Sequence, residues 1–124
     1  MGNNKLSTGP LSGIKILNIG TSIVAPWASS LLAHLGAEVI KVEKVGGEFI
    51  RTLPPTQNGV SSCYSASNID QKSTEFNLKN PDDLAVVIEL AKQADILVEN
   101  YRPGVADRIG LGFQALSEIN SKLI

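Results

Sequence analysis

Short apolar runs alternate with segments of helical periodicity along most of the chain. The first run covers 14–19 (IKILNI), and the second covers 38–43 (EVIKVE), where apolar and polar residues alternate as in a strand. Two further runs predict strands over 74–78 and 95–98. Strands that alternate with amphipathic helices are typical of parallel βαβ units. The pattern therefore predicts an α/β protein with a Rossmann-like parallel sheet and helices on both of its faces.

Proline, glycine and capping residues mark the predicted helix boundaries. A first helix is predicted with Pro26 in its first turn, and it should run to about Leu35, with Gly36 just past its end. A second begins at Asn80-Pro81, because asparagine caps helices and proline suits the first helical position. Apolar side chains then recur on one face of this helix, at Leu84, Val87, Ile88 and Ala91.

The remaining segments predict a loop and an interrupted carboxyl end. Residues 44–72 contain Gly-Gly, Pro-Pro and Asn-Gly pairs and predict a long loop, and loops of that length are usually functional or mobile. A last short helix is indicated by Phe113, Leu116 and Ile119. Leu123-Ile124 resembles the start of another strand. The sequence therefore predicts that the chain is truncated at its carboxyl end and is one piece of a larger protein.

Composition excludes several classes of function. The chain has 124 residues and a net charge of −1, so no overall field attracts nucleic acid or a membrane surface. It contains no apolar run near the roughly 20 residues of a spanning helix. With one cysteine and one histidine, a Cys/His metal cluster is not expected, and a cytoplasmic location fits the single thiol. Residues 1–10 predict a flexible tail and residues 11–124 a single α/β segment.

Polar and cationic residues follow three of the predicted strands. Asn100 and Tyr101 come after the 95–98 strand, and Arg108 lies a few residues further on. Lys44 follows the second strand and Lys79 the third. Ligands of α/β sheets bind in the crevice at the carboxyl ends of the strands. The sequence therefore predicts a crevice for an anionic ligand that carries a flat ring.

The same residues leave other interpretations open. A dinucleotide site needs three spaced glycines, and only Gly20 precedes the first helix, so a dehydrogenase fragment is disfavoured. By composition, solvated surface charge is the favoured interpretation of Lys41 and Arg51, and Lys44 is the exception because it lies just past a strand end that faces the crevice. The residues present no obvious nucleophile or acid/base pair. Reasoning from the residues alone therefore ends at an α/β unit with an anion- and ring-binding crevice.

Several motifs, in order, resemble the amino-terminal part of the family III CoA-transferases, a family related in fold to α-methylacyl-CoA racemase. The "ADILVENYRPG" block is the most specific of them. The matching segments are 11–17 (LSGIKIL), Ala25-Pro26, 35–43 (LGAEVIKVE), 77–79 (NLK), 94–104 (ADILVENYRPG) and 109–112 (IGLG). They are spread over nearly the whole chain.

The resemblance implies a larger two-domain fold, two interlinked chains, and CoA or an acyl-CoA lying along the strand ends. It implies no metal. A homodimer or another form of self-association is expected. Carried over by position, the implied CoA contacts are Ile23, Val24, Lys44, Phe76, Lys79, Asn100, Tyr101, Arg108 and Ile109.

The resemblance also implies that catalysis lies elsewhere. Family III transferases use an aspartate as the covalent nucleophile, and the resemblance places it beyond residue 124. No catalytic residue is therefore assigned, and the chain by itself is expected to be inactive. The parent reaction would transfer CoA between an acyl-CoA thioester and a free carboxylic acid. Two alternatives stay open: a racemase-type relative, and a non-catalytic binding or dimerisation module.

Two positions depart from the family pattern. Asn18 stands at the end of the first strand, where an aspartate is frequent. Residues 68–73 read Asn-Ile-Asp-Gln-Lys-Ser, where Asn-x-Asn-Lys-Arg-Ser is common. One cation is lost and one acid is gained. This change weakens the expectation that the loop itself binds CoA.

Overall fold

The computed structural model describes residues 8–124 as a parallel sheet with helices on both faces. The strands of this sheet are β1 (Lys15–Asn18), β2 (Glu38–Glu43), β5 (Gln71–Glu75) and β6 (Ile96–Val98). A separate antiparallel hairpin consists of β3 (Thr56–Gln57) and β4 (Val60–Ser61). The helices are α1 (Val24–His34), a 3₁₀ turn (Phe49–Thr52), α2 (Ser62–Ser67), α3 (Pro81–Gln93), α4 (Val105–Arg108) and α5 (Phe113–Ile119). The predicted α/β class is confirmed.

The strand order creates one natural crevice. In space the order is β5-β2-β1-β6, and all three neighbouring pairs are parallel. The chain therefore moves outward from β1 through β2 to β5 and then returns to place β6 on the other side of β1. Such a reversal is the switch point at which open α/β sheets bind ligands, outside the carboxyl ends of the strands.

Adjacent residues of β1 supply two separate cores. Ile16 packs with Ala37 and Val39 on one face, together with Leu32 and Ala33 of α1. Leu17 packs on the other face, where the buried partners from α3, α5 and their surroundings are Val87, Ala91, Leu111 and Leu116. Successive side chains of a strand point to opposite faces, so a short β-branched run serves both layers.

The predicted elements are confirmed where apolar patterning is strong. Strand β2 has the predicted bounds, and Asn80 caps α3 through its Oδ1 atom, which accepts the Asp82 N–H at 2.9 Å. At the carboxyl end, Ile124 N–H donates to Asp95 O and Leu97 N–H donates to Ile124 O. The last residues therefore extend alongside β6, as their strand-like composition predicts.

Helix α1 begins at Val24, so Pro26 lies in its first turn as predicted. Two other expectations for the elements were wrong. The third strand lies at Gln71–Glu75, not at 74–78, because an edge strand can be built from polar residues that show no apolar run. The predicted loop 44–72 contains the 3₁₀ turn, the hairpin and α2. Helix α2 is capped by Ser61 Oγ, which accepts the Tyr64 N–H at 3.3 Å.

The predicted tail is only partly covered by the structure. Residues 1–7 lie outside the described residues. Gly9 packs against the end of α1, and Leu11 N–H donates to Leu35 O at 2.9 Å. Within residues 8–124, no helix combines the length and apolar character required to cross a bilayer.

Candidate functional site

A cavity of about 590 Å³ opens at the carboxyl ends of the sheet strands. Its volume lies in the range of small-molecule and cofactor sites. The lining comes from the segments that follow β1, β2, β5 and β6: Gly20, Thr21, Val42, Glu43, Lys44, Val45, Glu48, Phe49, Phe76, Asn77, Leu78, Lys79 and Tyr101. The strand order therefore places the cavity beside the switch point between β1 and β6.

The cavity combines apolar walls with two free cations. Phe49 is exposed, whereas Phe76 and Leu78 are half-buried and offer apolar faces to a ring. Lys44 and Lys79 are both exposed, and neither ammonium group has an ion-pair or hydrogen-bond partner within residues 8–124. An anionic ligand at this opening would therefore meet unpaired positive charge next to an apolar surface.

Tyr101 is anchored rather than free. Its hydroxyl donates to the carbonyl oxygen of Ile19 at 2.6 Å, which ties the end of β6 to the end of β1. Burial raises the pKa of Tyr101, and the nearby carboxylates of Glu99 and Glu48 add to that effect. The phenol therefore stays protonated at neutral pH, and its ring forms a fixed part of the cavity wall.

Asn100, which follows β6, forms two hydrogen bonds with the turn after β1. Its Oδ1 atom accepts the Thr21 N–H at 2.9 Å, and its Nδ2 atom donates to Thr21 O at 3.0 Å. Gly20 makes this approach possible, since a Cβ there would lie 2.8 Å from Asn100 Oδ1 and 2.3 Å from Ala25 Cβ. The amide of Asn100 therefore positions the turn after β1, and Thr21 of that turn lines the cavity.

The Glu43 carboxylate at the floor of the cavity is fully engaged. Arg51 donates to it from Nε at 2.7 Å and Nη2 at 2.8 Å, and Tyr64 and Ser73 add hydroxyl donors. Burial raises the pKa of Glu43, but these hydrogen bonds outweigh it and lower the pKa to about 2. Burial and the Glu43 contact raise the pKa of Tyr64 to about 12. Glu43 is therefore a structural anion rather than a free nucleophile.

A second buried ion pair lies beside this network. Lys41 is fully buried on β2, and its ammonium group pairs with the Glu48 carboxylate. The interpretation of Lys41 as solvated surface charge was therefore wrong, and Arg51 is likewise committed to Glu43. A strand pattern does not reveal such pairing, because the partner acid lies in a loop seven residues away.

The structure brings some of the predicted contact residues together and separates others. Lys44, Phe76, Lys79 and Tyr101 line the same cavity. Asn100 contacts that cavity through Thr21. The others lie outside the lining: Ile23 and Val24 at the exposed start of α1, and Arg108 and Ile109 at the end of α4. Their contact with CoA stays a prediction.

Sequence reasoning missed part of the lining. Val45, Glu48 and Phe49 lie in the segment predicted as a loop. These residues follow Lys44 closely along the chain, and that proximity was the one sequence signal that could have placed them at the cavity. Across residues 8–124, no three His, Cys, Asp or Glu side chains are grouped so that they could hold a metal ion.

Comparisons with known proteins bear on the same region. Residues 11–124 match the sequence model of CoA-transferase family III. The chain is 38% identical over 120 residues to the succinyl-CoA–L-malate CoA-transferase beta subunit of Chloroflexus aurantiacus, covering 95% of this chain and 30% of that protein. It is 42% identical over 117 residues to human succinyl-CoA:glutarate CoA-transferase, covering 93% of this chain and 27% of that protein.

A solved structure matches the same part of the chain. The crystal structure of a CAIB/BAIF family protein from Brucella suis superposes with a TM-score of 0.88 and 31% identity, covering 94% of this chain and 32% of that chain. The chain thus spans about 30% of the length of the curated relatives that it matches. The match extends over almost every described element, including all four strands whose ends surround the cavity. The chain therefore belongs to CoA-transferase family III.

Proposed function

We propose that this chain binds CoA or an acyl-CoA through the cavity at the strand ends. The observation that carries the proposal is the pairing of apolar walls with two unpartnered lysines, Lys44 and Lys79, at one opening. CoA carries a flat adenine ring and several phosphates, which match these two features. The relatives named above are CoA-transferases, which supports the same ligand.

Within this proposal, the ring and the phosphates occupy different parts of the cavity. The adenine packs among Val42, Phe76 and Leu78, where an aromatic face and aliphatic groups are available. The phosphates face Lys44 and Lys79, where an ammonium group acts as a point charge. Affinity should therefore fall as salt is added, since exposed charges are screened.

Calorimetric titration with CoA tests this assignment. Lys44→Ala and Lys79→Ala should each weaken binding about fivefold, the value of roughly 1 kcal/mol for an exposed charge contact. Lys92→Ala is the matched control, because Lys92 lies on α3 and pairs with Glu89 away from the lining. Adenosine, which lacks phosphate, should be insensitive to both cavity variants. Equal losses in all three variants, or salt-independent affinity, would contradict the proposal.

We further propose that the parent protein transfers CoA between an acyl-CoA thioester and a free carboxylic acid, and that this chain by itself does not. The acids that line the cavity are Glu43 and Glu48, and both carboxylates are buried and held in ion pairs, Glu48 with the buried Lys41 and Glu43 with the half-exposed Arg51. Neither is available for attack on a thioester. Incubating the chain with succinyl-CoA and glutarate should yield no glutaryl-CoA by mass spectrometry, whereas product formation would show that a nucleophile lies within the chain.

A non-catalytic role in self-association is favoured by one specific observation. Helix α1 exposes an apolar stripe that consists of Val24, Trp27, Leu31 and Leu35. Large exposed apolar patches mark interaction sites more often than free surface. We therefore retain self-association as a second proposed function, which is compatible with CoA binding because none of the four residues lines the cavity.

A further inference from the structure

The charge of the fully buried Lys41 is compensated by one carboxylate, one amide oxygen and the ring of Tyr64, whose centroid lies 5.1 Å from the ammonium nitrogen. The ammonium group pairs with Glu48 and also donates to Asn68 Oδ1 at 2.5 Å. A lysine inside a sheet without such partners would be strongly destabilising. Lys41 of β2 therefore fixes the position of Glu48, although Glu48 lies in the loop that follows this strand.

The second carboxylate oxygen of Glu48 points to a different part of the chain. Its Oε2 atom accepts the Ser22 N–H at 2.7 Å. Ser22 has a φ of 64°, a left-handed conformation that is unfavourable for a residue with a side chain. The Glu48 N–H in turn donates to Glu43 Oε2 at 3.0 Å. Glu48 therefore connects the turn after β1 with the loop after β2.

Both segments line the cavity. Gly20 and Thr21, directly before Ser22, line it from the turn after β1, and Lys44 and Phe49 line it from the loop after β2. We infer that Glu48, oriented by Lys41, is a positioning residue that holds the turn after β1 in its ligand-ready conformation. The inference deepens the proposed function, on which it rests for the identity of the ligand.

The positioning role of Glu48 depends on its hydrogen bond to Ser22 and not on its charge. Removing one member of a buried ion pair strands the other, whereas removing both is often tolerated. The charges at 41 and 48 should therefore be dispensable together. An oxygen at position 48 that accepts the Ser22 N–H should not be dispensable, because no other acceptor in residues 8–124 bonds to this amide.

Two double variants separate these contributions. Lys41→Met with Glu48→Gln removes both charges but keeps an acceptor for Ser22, and Asn68 Oδ1 becomes available to the new amide group. Lys41→Met with Glu48→Met removes both charges and the acceptor. The two proteins differ only at position 48, by an amide against a thioether of similar length. Circular dichroism and urea unfolding establish that both are folded.

The first readout does not depend on any ligand. Hydrogen exchange of the Ser22 amide should stay within about threefold of the unmodified chain in the Gln variant. It should accelerate about tenfold in the Met variant, because the thioether leaves the amide without its hydrogen bond. In the unmodified chain, the same amide should exchange slowly. Rapid exchange there, or equal exchange in the two double variants, would overturn the inference.

The second readout is CoA affinity measured by calorimetry. The Met variant should bind CoA about tenfold more weakly than the Gln variant, because the turn must be ordered at the expense of binding free energy. Equal affinities in the two variants would overturn the positioning role. If the unmodified chain itself fails to bind CoA, the proposed function is refuted. Hydrogen exchange of the Ser22 amide still decides whether Glu48 holds the turn.

Discussion

A buried pair of neutral amides joins three elements near the cavity. Asn18 Nδ2 donates to Gln71 Oε1 at 2.9 Å, and Asn18 Oδ1 accepts the Gly20 N–H at 2.9 Å. Gln71 Nε2 donates to Pro26 O at 2.8 Å and to Ser30 Oγ at 2.9 Å. Two of the residues that depart from the family pattern, Asn18 and Gln71, are thus direct partners. Their amides satisfy each other without charge at positions where that pattern has an acid and a base.

This coupling predicts a non-additive response to mutation. Asn18→Asp should destabilise the fold by about 3 kcal/mol at pH 7, because it buries a carboxylate that faces an amide oxygen. Adding Gln71→Lys should recover most of this loss, since a lysine supplies the missing positive charge. Urea unfolding of both single variants and the double variant measures the coupling. Additive losses would show that the two side chains do not act as a pair.

The Glu43 carboxylate predicts how stability depends on pH. Its pKa is about 2 in the folded protein against 4.5 when unperturbed, so the unfolded chain binds the proton more tightly. The stabilisation is therefore fully present above about pH 4.5 and is lost as the pH falls towards about 2. Glu43→Gln should cost on the order of 3 kcal/mol at pH 7 and progressively less in acid.

Chemical unfolding at a series of pH values checks this expectation. The quantity to compare is the difference in unfolding free energy between the unmodified chain and Glu43→Gln at each pH. Taking this difference cancels the contributions of the other titrating groups. Glu38→Gln is the control, because the Glu38 side chain is half exposed and pairs only with the exposed Lys72. A pH-independent difference at Glu43 would mean that the Arg51 and Tyr64 contacts do not stabilise its charged form.

At the level of elements, the sequence predicted the strands that are buried in the sheet. It missed the elements that are built from polar residues, whose positions depend on backbone pairing and local hydrogen bonds. Strands β1 and β2 are buried along most of their length, and the sequence shows β1 as a short apolar run and β2 as an alternation of apolar and charged residues. Strand β5 lies at the sheet edge with the sequence Gln-Lys-Ser-Thr-Glu, and its pairing with β2 is set by the backbone. Helix α2 consists of small and polar residues around Tyr64, so it shows no apolar period.

The start of α3 tests how far a local signal determines an element. Asn80 caps the helix, Pro81 occupies its first turn, and Asp82 and Asp83 face the positive end of its dipole. Asn80→Ala should destabilise the fold by about 1 kcal/mol, whereas Asn80→Asp should be nearly neutral. Thermal unfolding of both variants measures the difference. Equal losses would indicate that the cap is replaced by solvent.

For the whole molecule, the cavity was predictable in kind but not in detail. Strand-end positions correctly brought Lys44, Lys79 and Tyr101 to one rim, because parallel strands end at the same edge of a sheet. The anchoring of Tyr101 to Ile19 and the burial of Lys41 depend on contacts between distant parts of the chain. Such contacts leave no periodic signal in the sequence, and only the folded arrangement reveals them.

Helix α1 packs in a way that bears on assembly. Its buried side chains are Ala25, Pro26, Ser29 and Ser30, which are small or polar. Leu32 packs against the sheet, but the other large apolar residues, Val24, Trp27 and Leu31, are exposed, with Trp27 57% and Leu31 56% exposed. A surface helix normally buries its apolar face, so this arrangement is typical of a helix with a second partner.

If that partner is a second copy of the chain, a charge in the stripe should abolish association. Leu31→Lys should shift the protein to monomer in sedimentation velocity, whereas the parent should show a concentration-dependent dimer. Val86→Lys is the matched control, because Val86 is a similarly exposed apolar residue, 45% exposed, on α3. An unmodified chain that stays monomeric at high concentration would exclude self-association through α1.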